Sequence, residues 1–262
     1  MINVNDYKAN FFSQNGEDGI IEFLLSRIEQ NHFVIEFGAA DGYFYSNTAA
    51  LWATGKYDAL LIESDRALFE SLYSATFENA RVTAENALVT NIDDHTTRVA
   101  DVCSIDVDGN DWQIADRMQT KHQIVIVEYN PTVPPHVEMV GIEDEGFGSS
   151  ALSISRLMTG KGYTLVAATK TNLFFLLGDH CDEFVTDLDV LFDRSSLNYV
   201  ATAYDGRYDM IGEFGYGFSR PANLSLRGRS GEQRMTADGA TTEYMRQITQ
   251  WTDDKRKQDK SW

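Results

Sequence analysis

Apolar residues recur along the first 178 positions in two alternating rhythms. Ile20, Ile21, Leu24, Leu25 and Ile28 keep the spacing of one helix face, which predicts an amphipathic helix over 17–30. Residues 33–37 form a short apolar run that stops at Gly38, Ala39, Ala40, Asp41 and Gly42, the pattern of a buried strand feeding a tight turn. The run at 59–63 repeats it and is followed by a helix over 66–77 and a weaker strand over 81–85. Further runs at 102–107 and 124–129 complete a set of five, and their near-continuous apolar character is what a parallel sheet covered on both faces requires. A helix over 150–160 then leads to apolar runs at 163–168 and 173–177, with the polar turn Lys170, Thr171, Asn172 between them, which reads as an antiparallel hairpin. The expected fold is α/β: parallel strands with right-handed crossover helices on both faces, closed by one hairpin.

After Gly178 the pattern weakens. The span 204–219 is rich in Gly and Tyr, and 241–257 has the composition of a polar terminal helix, with Tyr244, Ile248 and Trp251 at helical spacing. Residues 1–178 are therefore expected to form one domain, and 179–262 an extension packed on it or at the interface of a homo-oligomer. The loop 130–148, with Pro131, Pro134 and Pro135, is longer than a connector needs and reads as a substrate loop or lid.

The 262 residues are 43% hydrophobic and 24% charged, the balance of a soluble globular protein large enough to bury its core without disulfide or metal staples. Lys and Arg number 22 against 40 Asp and Glu, a net charge of −18 that opposes binding to nucleic acid or to anionic membranes. Two cysteines suit a reducing compartment. The first residues lack the basic and apolar regions of a secretory leader, and no apolar run reaches about 18 residues, so a cytoplasmic location without membrane insertion is expected.

Ligands of open α/β sheets sit at the carboxyl ends of the strands, near the point where strand order reverses. The loop from Glu36 to Gly42 is glycine-rich, but Ala40 stands where a dinucleotide fingerprint needs its middle glycine. The carboxylates of Glu36 and Asp41 would repel a pyrophosphate by several kcal/mol. The same charges would attract the sulfonium and ammonium of S-adenosylmethionine. Glu63 closes the next strand, where an acid accepts the ribose hydroxyls, with Ser64 beside it, and Asn86 and Ala87 lie where an adenine edge is read. Gln14 and Asn15 approach the first helix, whose N-terminal amides could meet the cofactor's carboxylate, or whose cap Ser13 or Asn15 could be. Gly38, Ala39, Gly42 and Asp106 complete the expected cofactor contacts.

Asp106, Asp108, Asn110 and Asp111 place three carboxylates and an amide within six positions. Strand alternation would put Asp106 and Asp108 on one face. Glu128 and Asn130 end the adjacent strand. Hard oxygen donors gathered this way suit Mg²⁺ or Mn²⁺, with Asp108, Glu128 and Asn130 as ligands, and such an ion lowers the pKa of a substrate hydroxyl. Asp108 is the first candidate for general base and His136 the second. The plainer alternative has Asp111 capping a helix and Asp108 solvated.

On the segments 13–19, 35–42, 62–65, 104–111 and 127–130, in that order, the sequence resembles the FkbM-type branch of class I S-adenosylmethionine-dependent methyltransferases. The resemblance implies a Rossmann-like, mostly parallel seven-stranded sheet with an antiparallel C-terminal hairpin, and O-methylation as the prototype reaction. It matches Glu36, Gly38, Asp41 and Gly42 to the cofactor loop, Glu63 to the ribose acid, and Asp106 and Asp108 to the active-site edge of the fourth strand. The expected activity is methyl transfer to a hydroxyl of a sugar, glycan or small molecule. Two other readings stand beside it: a metal-dependent glycosyltransferase using Asp106-Val107-Asp108 as a D-x-D motif, and a binding protein that keeps an adenosyl pocket without turnover.

Overall fold

The computed structural model describes residues 1–197, 199–202 and 208–211. The chain divides into two compact units, Met1–Asp193 and Arg194–Trp262. In the first, the elements run α1 (Glu17–Leu25), β1 (Phe33–Phe37), α2 (Ala49–Trp52), β2 (Asp58–Glu63), α3 (Arg66–Thr76), β3 (Val82–Asn86), β4 (Val102–Ile105), α4 (Asp111–Arg117), β5 (Ile124–Glu128), α5 (Ala151–Gly160), β6 (Tyr163–Ala168), β7 (Asn172–Leu177) and α6 (Leu188–Leu191). The strands form one seven-stranded sheet in the order β3-β2-β1-β4-β5-β7-β6. The pairings from β3 to β5 are parallel, while β7 runs antiparallel to both β5 and β6. This is the Rossmann-like, mostly parallel seven-stranded sheet with an antiparallel C-terminal hairpin that was expected, its strand order reversing between β1 and β4.

Register decides which side chains share a face. Glu36 lies opposite Leu61 and Ser104, Ser104 opposite Ile126, and Glu128 opposite Asn172. Side chains two apart point the same way, so Glu36, Glu63, Ser104, Glu128 and Asn172 share one face. Lower on that face Val34, Leu61, Val102, Ile124, Ile126 and Phe174 pack beneath Ile20, Ile21, Leu24 and Leu25 of α1 and Trp52 of α2. Each fully buried side chain of this kind contributes about 1.5–3 kcal/mol. The apolar stripe thus secures α1 over the half of the sheet whose upper edge is polar.

The structure departs from the sequence reading at several ends. Helix α1 stops at Leu25, not at residue 30: Ser26 donates to Phe23, Arg27 to Leu24, and Gln30 Nε2 caps the carbonyl of Leu25 at 2.8 Å. Strand β4 stops at Ile105, two residues early. The short helix α2 was not foreseen, being too brief to show a period, while α4 is the helix expected in the alternative that has Asp111 at its start. The first unit runs on to Asp193, past the Gly178 boundary, because Phe184 is fully buried and Ile2 bridges to it, with Ile2 N to Glu183 O at 2.8 Å and Val185 N to Ile2 O at 2.9 Å. In the second unit β8 (Tyr199–Thr202) pairs antiparallel with β9 (Tyr208–Ile211). The helix expected over 241–257, with Tyr244, Ile248 and Trp251, lies outside the described residues. Among the described residues no helix is long and apolar enough to cross a membrane.

Candidate active site

Gly38 leaves β1 with φ +74°, and a Cβ built on it would sit 1.7 Å from the carbonyl oxygen of Asp106. The glycine is therefore required by the close approach of the β1 and β4 ends. Its N–H and that of Ala39 donate to Ile62 O, at 3.0 and 3.1 Å. Glu63 grips the same loop from β2: Oε2 accepts from Ala40 N at 2.9 Å and Oε1 from Asp65 N at 2.7 Å. Asn86 Nδ2 donates to the carbonyls of Glu63 at 2.7 Å and Ser64 at 3.1 Å, and Ala87 N donates to Glu63 O at 3.2 Å. Asp41 Oδ1 accepts from Tyr43 N and Phe44 N at 2.9 and 2.7 Å, turning the chain after Gly42. The residues expected around an adenosyl group are thus cross-linked over three adjacent strand tips.

Glu36 faces the β1–α2 loop. It accepts from Ser46 Oγ at 2.6 Å, Asn47 N at 2.7 Å and Thr48 Oγ1 at 2.5 Å, while Asn47 Nδ2 reaches Ser104 Oγ at 3.0 Å. Burial pushes its pKa up against these hydrogen bonds. The polar trio Ser46, Asn47, Thr48 ahead of a short helix was the sequence signal for this network, and it was missed.

Across the switch point, carboxylate oxygens of Asp106, Asp108 and Glu128 all lie within 4.8 Å of one another. Strand alternation is not the cause, since β4 has already ended. A turn brings Asp106 and Asp108 together: Asp111 accepts from Val107 N at 2.8 Å and Gly109 N at 3.0 Å, and Asp108 takes φ +58°. Asp111 is thus the first residue of α4, and its carboxylate ties the turn without acting as the cap. Burial, then the repulsion of Asp111, Asp108 and Glu36, holds Asp106 well above the usual carboxylate range. Burial, then Asp106, does the same to Glu128. Burial pushes Asp111 up to about 6. A side-chain hydrogen bond couples Asp106 to Glu128, and two carboxyl groups so joined hold a proton between them.

Asn130, expected as a ligand, has its side chain committed elsewhere: Oδ1 accepts from Thr132 N at 2.9 Å and Thr132 Oγ1 at 2.6 Å, and Nδ2 donates to Phe147 O at 2.9 Å. A better-placed amide is Asn172, opposite Glu128, 4% exposed and with Oδ1 lacking a hydrogen-bond partner among the described residues. His136 is exposed on the 130–148 loop and shares no hydrogen bond with the cluster among the described residues. That loop is pinned along its length. Gln113 Nε2 donates to Gly141 O at 2.7 Å, Met139 N to Ser150 Oγ at 3.0 Å, and Asn110 and Asp144 exchange two bonds of 2.8 Å. Those anchors make it a wall beside the cluster.

The approach to α1 inverts the expected capping. The N-cap is Gly16, without a side-chain bond, and the helix's own acids reach back into the loop. Asp18 Oδ2 accepts from the N–H groups of Phe11 at 2.7 Å, Phe12 at 2.9 Å and Ser13 at 2.9 Å, and from Ser13 Oγ at 2.7 Å. Glu17 Oε2 accepts from Asn15 N at 2.6 Å. Asp18 N bonds Ser13 Oγ at 3.0 Å and Gly19 N bonds Ala9 O at 3.0 Å, so these helix amides are not available to a cofactor carboxylate. Asn15 Nδ2 reaches Thr171 Oγ1 at 3.3 Å, tying the loop to the turn before β7, while Gln14 is exposed. Asp18→Ala should leave three loop N–H groups without their acceptor and lower unfolding free energy by about 3–5 kcal/mol. Urea unfolding checks this, and a loss below about 1 kcal/mol would show that Asp18 does not organise the loop.

No family model and no curated protein matches the sequence. Solved structures resemble it at low identity. A fibrillarin pre-rRNA processing protein of Methanococcus jannaschii is 14% identical over 58% of this chain and 69% of its own, with a TM-score of 0.41. The precorrin-6y C5,15-methyltransferase of Geobacter metallireducens is 12% identical over 66% of this chain and 93% of its own, with a TM-score of 0.41. The N-terminal domain of EvdMO1, solved with SAH bound, is 12% identical over 63% and 80%, with a TM-score of 0.43.

Proposed function

We propose that the chain is an S-adenosylmethionine-dependent methyltransferase of the FkbM type that acts on a hydroxyl of a sugar, glycan or small molecule. One observation carries the reading. A buried acid at the end of β2 clamps the glycine loop of β1, directly across the switch point from a carboxylate cluster at the ends of β4 and β5. Such an edge opposes phosphates and suits a sulfonium cofactor. Glu63 has one N–H on each oxygen, which leaves acceptor capacity for ribose hydroxyls. S-adenosylmethionine held there would supply an electrophilic methyl group and leave as a neutral thioether, and Asp108, the exposed member of the cluster, would take the proton of the attacking hydroxyl. Positioning the two reactants in line supplies much of the rate.

The donor set of Asp106, Asp108 and Glu128, with the oxygen of Asn172 nearby, fits a hard divalent ion. Mg²⁺ or Mn²⁺ bound there would supply Lewis acidity that lowers the pKa of the acceptor hydroxyl. Asp108→Ala should abolish divalent-ion binding in calorimetry and leave cofactor affinity within about twofold, since Asp108 lies in none of the contacts that bind the glycine loop. An unchanged metal titration would remove Asp108 from this role.

The same Asp106–Asp108 pair supports the glycosyltransferase reading. Calorimetry with S-adenosylmethionine, and separately with UDP-sugars and Mn²⁺, separates the two. Binding of a nucleotide sugar without any response to the methyl donor would overturn the proposal. Cofactor binding with no labelled methyl entering any acceptor pool would leave a binding protein.

A further inference from the structure

A cavity of about 590 Å³ opens between α1 and α2, within the size range of small-molecule sites. Its upper part is lined by Phe11, Phe12 and Asn47, and its lower part by His32, Lys56 and Tyr57 at the start of β1 and β2. From His32 to the level of Glu36 is about 13 Å at the rise of a strand. Asn47 also bonds Ser104, the β4 residue two positions before Asp106, so one wall residue of the cavity belongs to the network beneath the strand ends.

The mouth is aromatic. Phe12 lies 5.7 Å from Tyr43, the residue directly after Gly42 of the glycine loop, and the rings of Phe44 and Tyr45, tilted at 36°, lie 3.8 Å apart beyond it. Phe11, Phe44 and Tyr45 are 75%, 63% and 50% exposed, and Tyr45 holds φ +59°, a strained conformation for a bulky residue. A set of exposed rings drawn from two loops at the opening of a cavity marks a binding surface. Asp18 also lines the cavity, and its Oδ2 holds the N–H groups of Phe11, Phe12 and Ser13, so the aromatic rim is fixed in place by a buried carboxylate of the cavity wall.

The lining selects the chemistry. Asp18 and Glu22 oppose an anion, and Lys56 opposes a cation. Aromatic faces beside a carboxylate and an amide suit a ring with one apolar face and several hydroxyl donors. We propose that this cavity, with its rim of Phe11, Phe12 and Tyr43, is the acceptor cleft and takes a neutral oligosaccharide. The word acceptor rests on the methyltransferase reading; the sugar site does not, because it is measured without cofactor.

The test is saturation-transfer NMR on the full chain with maltotriose, cellotriose and chitotriose, beside separate calorimetry with S-adenosylmethionine. Two variants probe the site: Phe12→Ala, on the rim, and Ala50→Trp, which fills the cavity from α2. At least one trisaccharide should receive saturation, bind about tenfold more weakly to Phe12→Ala, and lose its signal in Ala50→Trp, while cofactor affinity stays within about twofold. No transfer to any of the three sugars, or a signal unchanged in Ala50→Trp, overturns the cleft and leaves the methyltransferase reading standing. Sugar binding without cofactor binding sinks that reading and keeps the cleft as a carbohydrate site.

Discussion

Gly38→Ala is expected to destabilise the protein by about 4 kcal/mol or more and to weaken S-adenosylmethionine binding by about 100-fold. Two costs combine. A side chain at φ +74° is strained by about 1–3 kcal/mol wherever it occurs. At this position the new methyl would also lie 1.7 Å from Asp106 O, which is backbone and cannot swing aside. Relief requires β1 and β4 to part at their ends, and that strains the Asp106 N to Phe37 O bond of 3.2 Å and both bonds to Ile62 O. Gly55 supplies the control: its φ is +73°, and a Cβ there would meet nothing within 4 Å. Gly55→Ala should therefore show the backbone cost alone, and the difference between the variants isolates the contact. Urea unfolding of both, with calorimetry of the cofactor, checks the prediction. If the two variants lose the same stability to within about 1 kcal/mol, the close approach is not what demands a glycine at 38.

That result also marks where sequence reading stops. The strands were legible because parallel strands buried on both faces leave nearly uninterrupted apolar runs, and β1 begins and ends at the residues expected, Phe33 and Phe37. The hairpin of β6 and β7 was legible because a polar turn separates two such runs. The roles of the polar residues were less so. Glu36 and Glu63 look alike as acids at strand ends, yet Glu36 is enclosed by the loop after it while Glu63 holds the loop of the neighbouring strand. Nothing in spacing separates these cases, since each partner is fixed by tertiary register. Asp18 reads as an ordinary first-turn acid, and only the folded loop shows one oxygen gathering four donors. The rings of Phe11, Phe12, Tyr43, Phe44 and Tyr45 did leave a signal, consecutive aromatics in loops where burial is scarce.

Glu128→Gln should raise stability above pH 6 by about 2 kcal/mol and lower divalent-ion affinity at least tenfold. The sign follows from the pKa directions. Asp106, Asp111 and Glu128 all hold protons more tightly folded than unfolded. Their contribution is complete below the unfolded carboxylate range and is lost as pH rises through the folded values; for Asp111 that window runs from 3.8 to about 6 and is worth about 3 kcal/mol. The cluster's own contribution should therefore fall as pH climbs out of the acid range. His122, held by burial down to about 4, acts in the opposite sense between about 4 and 6.5, so the cluster is read from the difference between variant and natural chain. Glutamine at 128 keeps a donor toward Asp106 and cannot ionise, so the stability–pH slope should flatten as the ion site weakens. Thermal unfolding from pH 4 to 8, beside Mn²⁺ titration, reads both effects. Asp106→Asn should act in the same direction, because an amide at either position can donate to or accept from its partner and cannot ionise. If neither variant gains stability over the natural chain between pH 6 and 8, the pair does not repel as two buried acids joined by one proton must, and the cluster is not the electrostatic strain that a divalent ion would relieve.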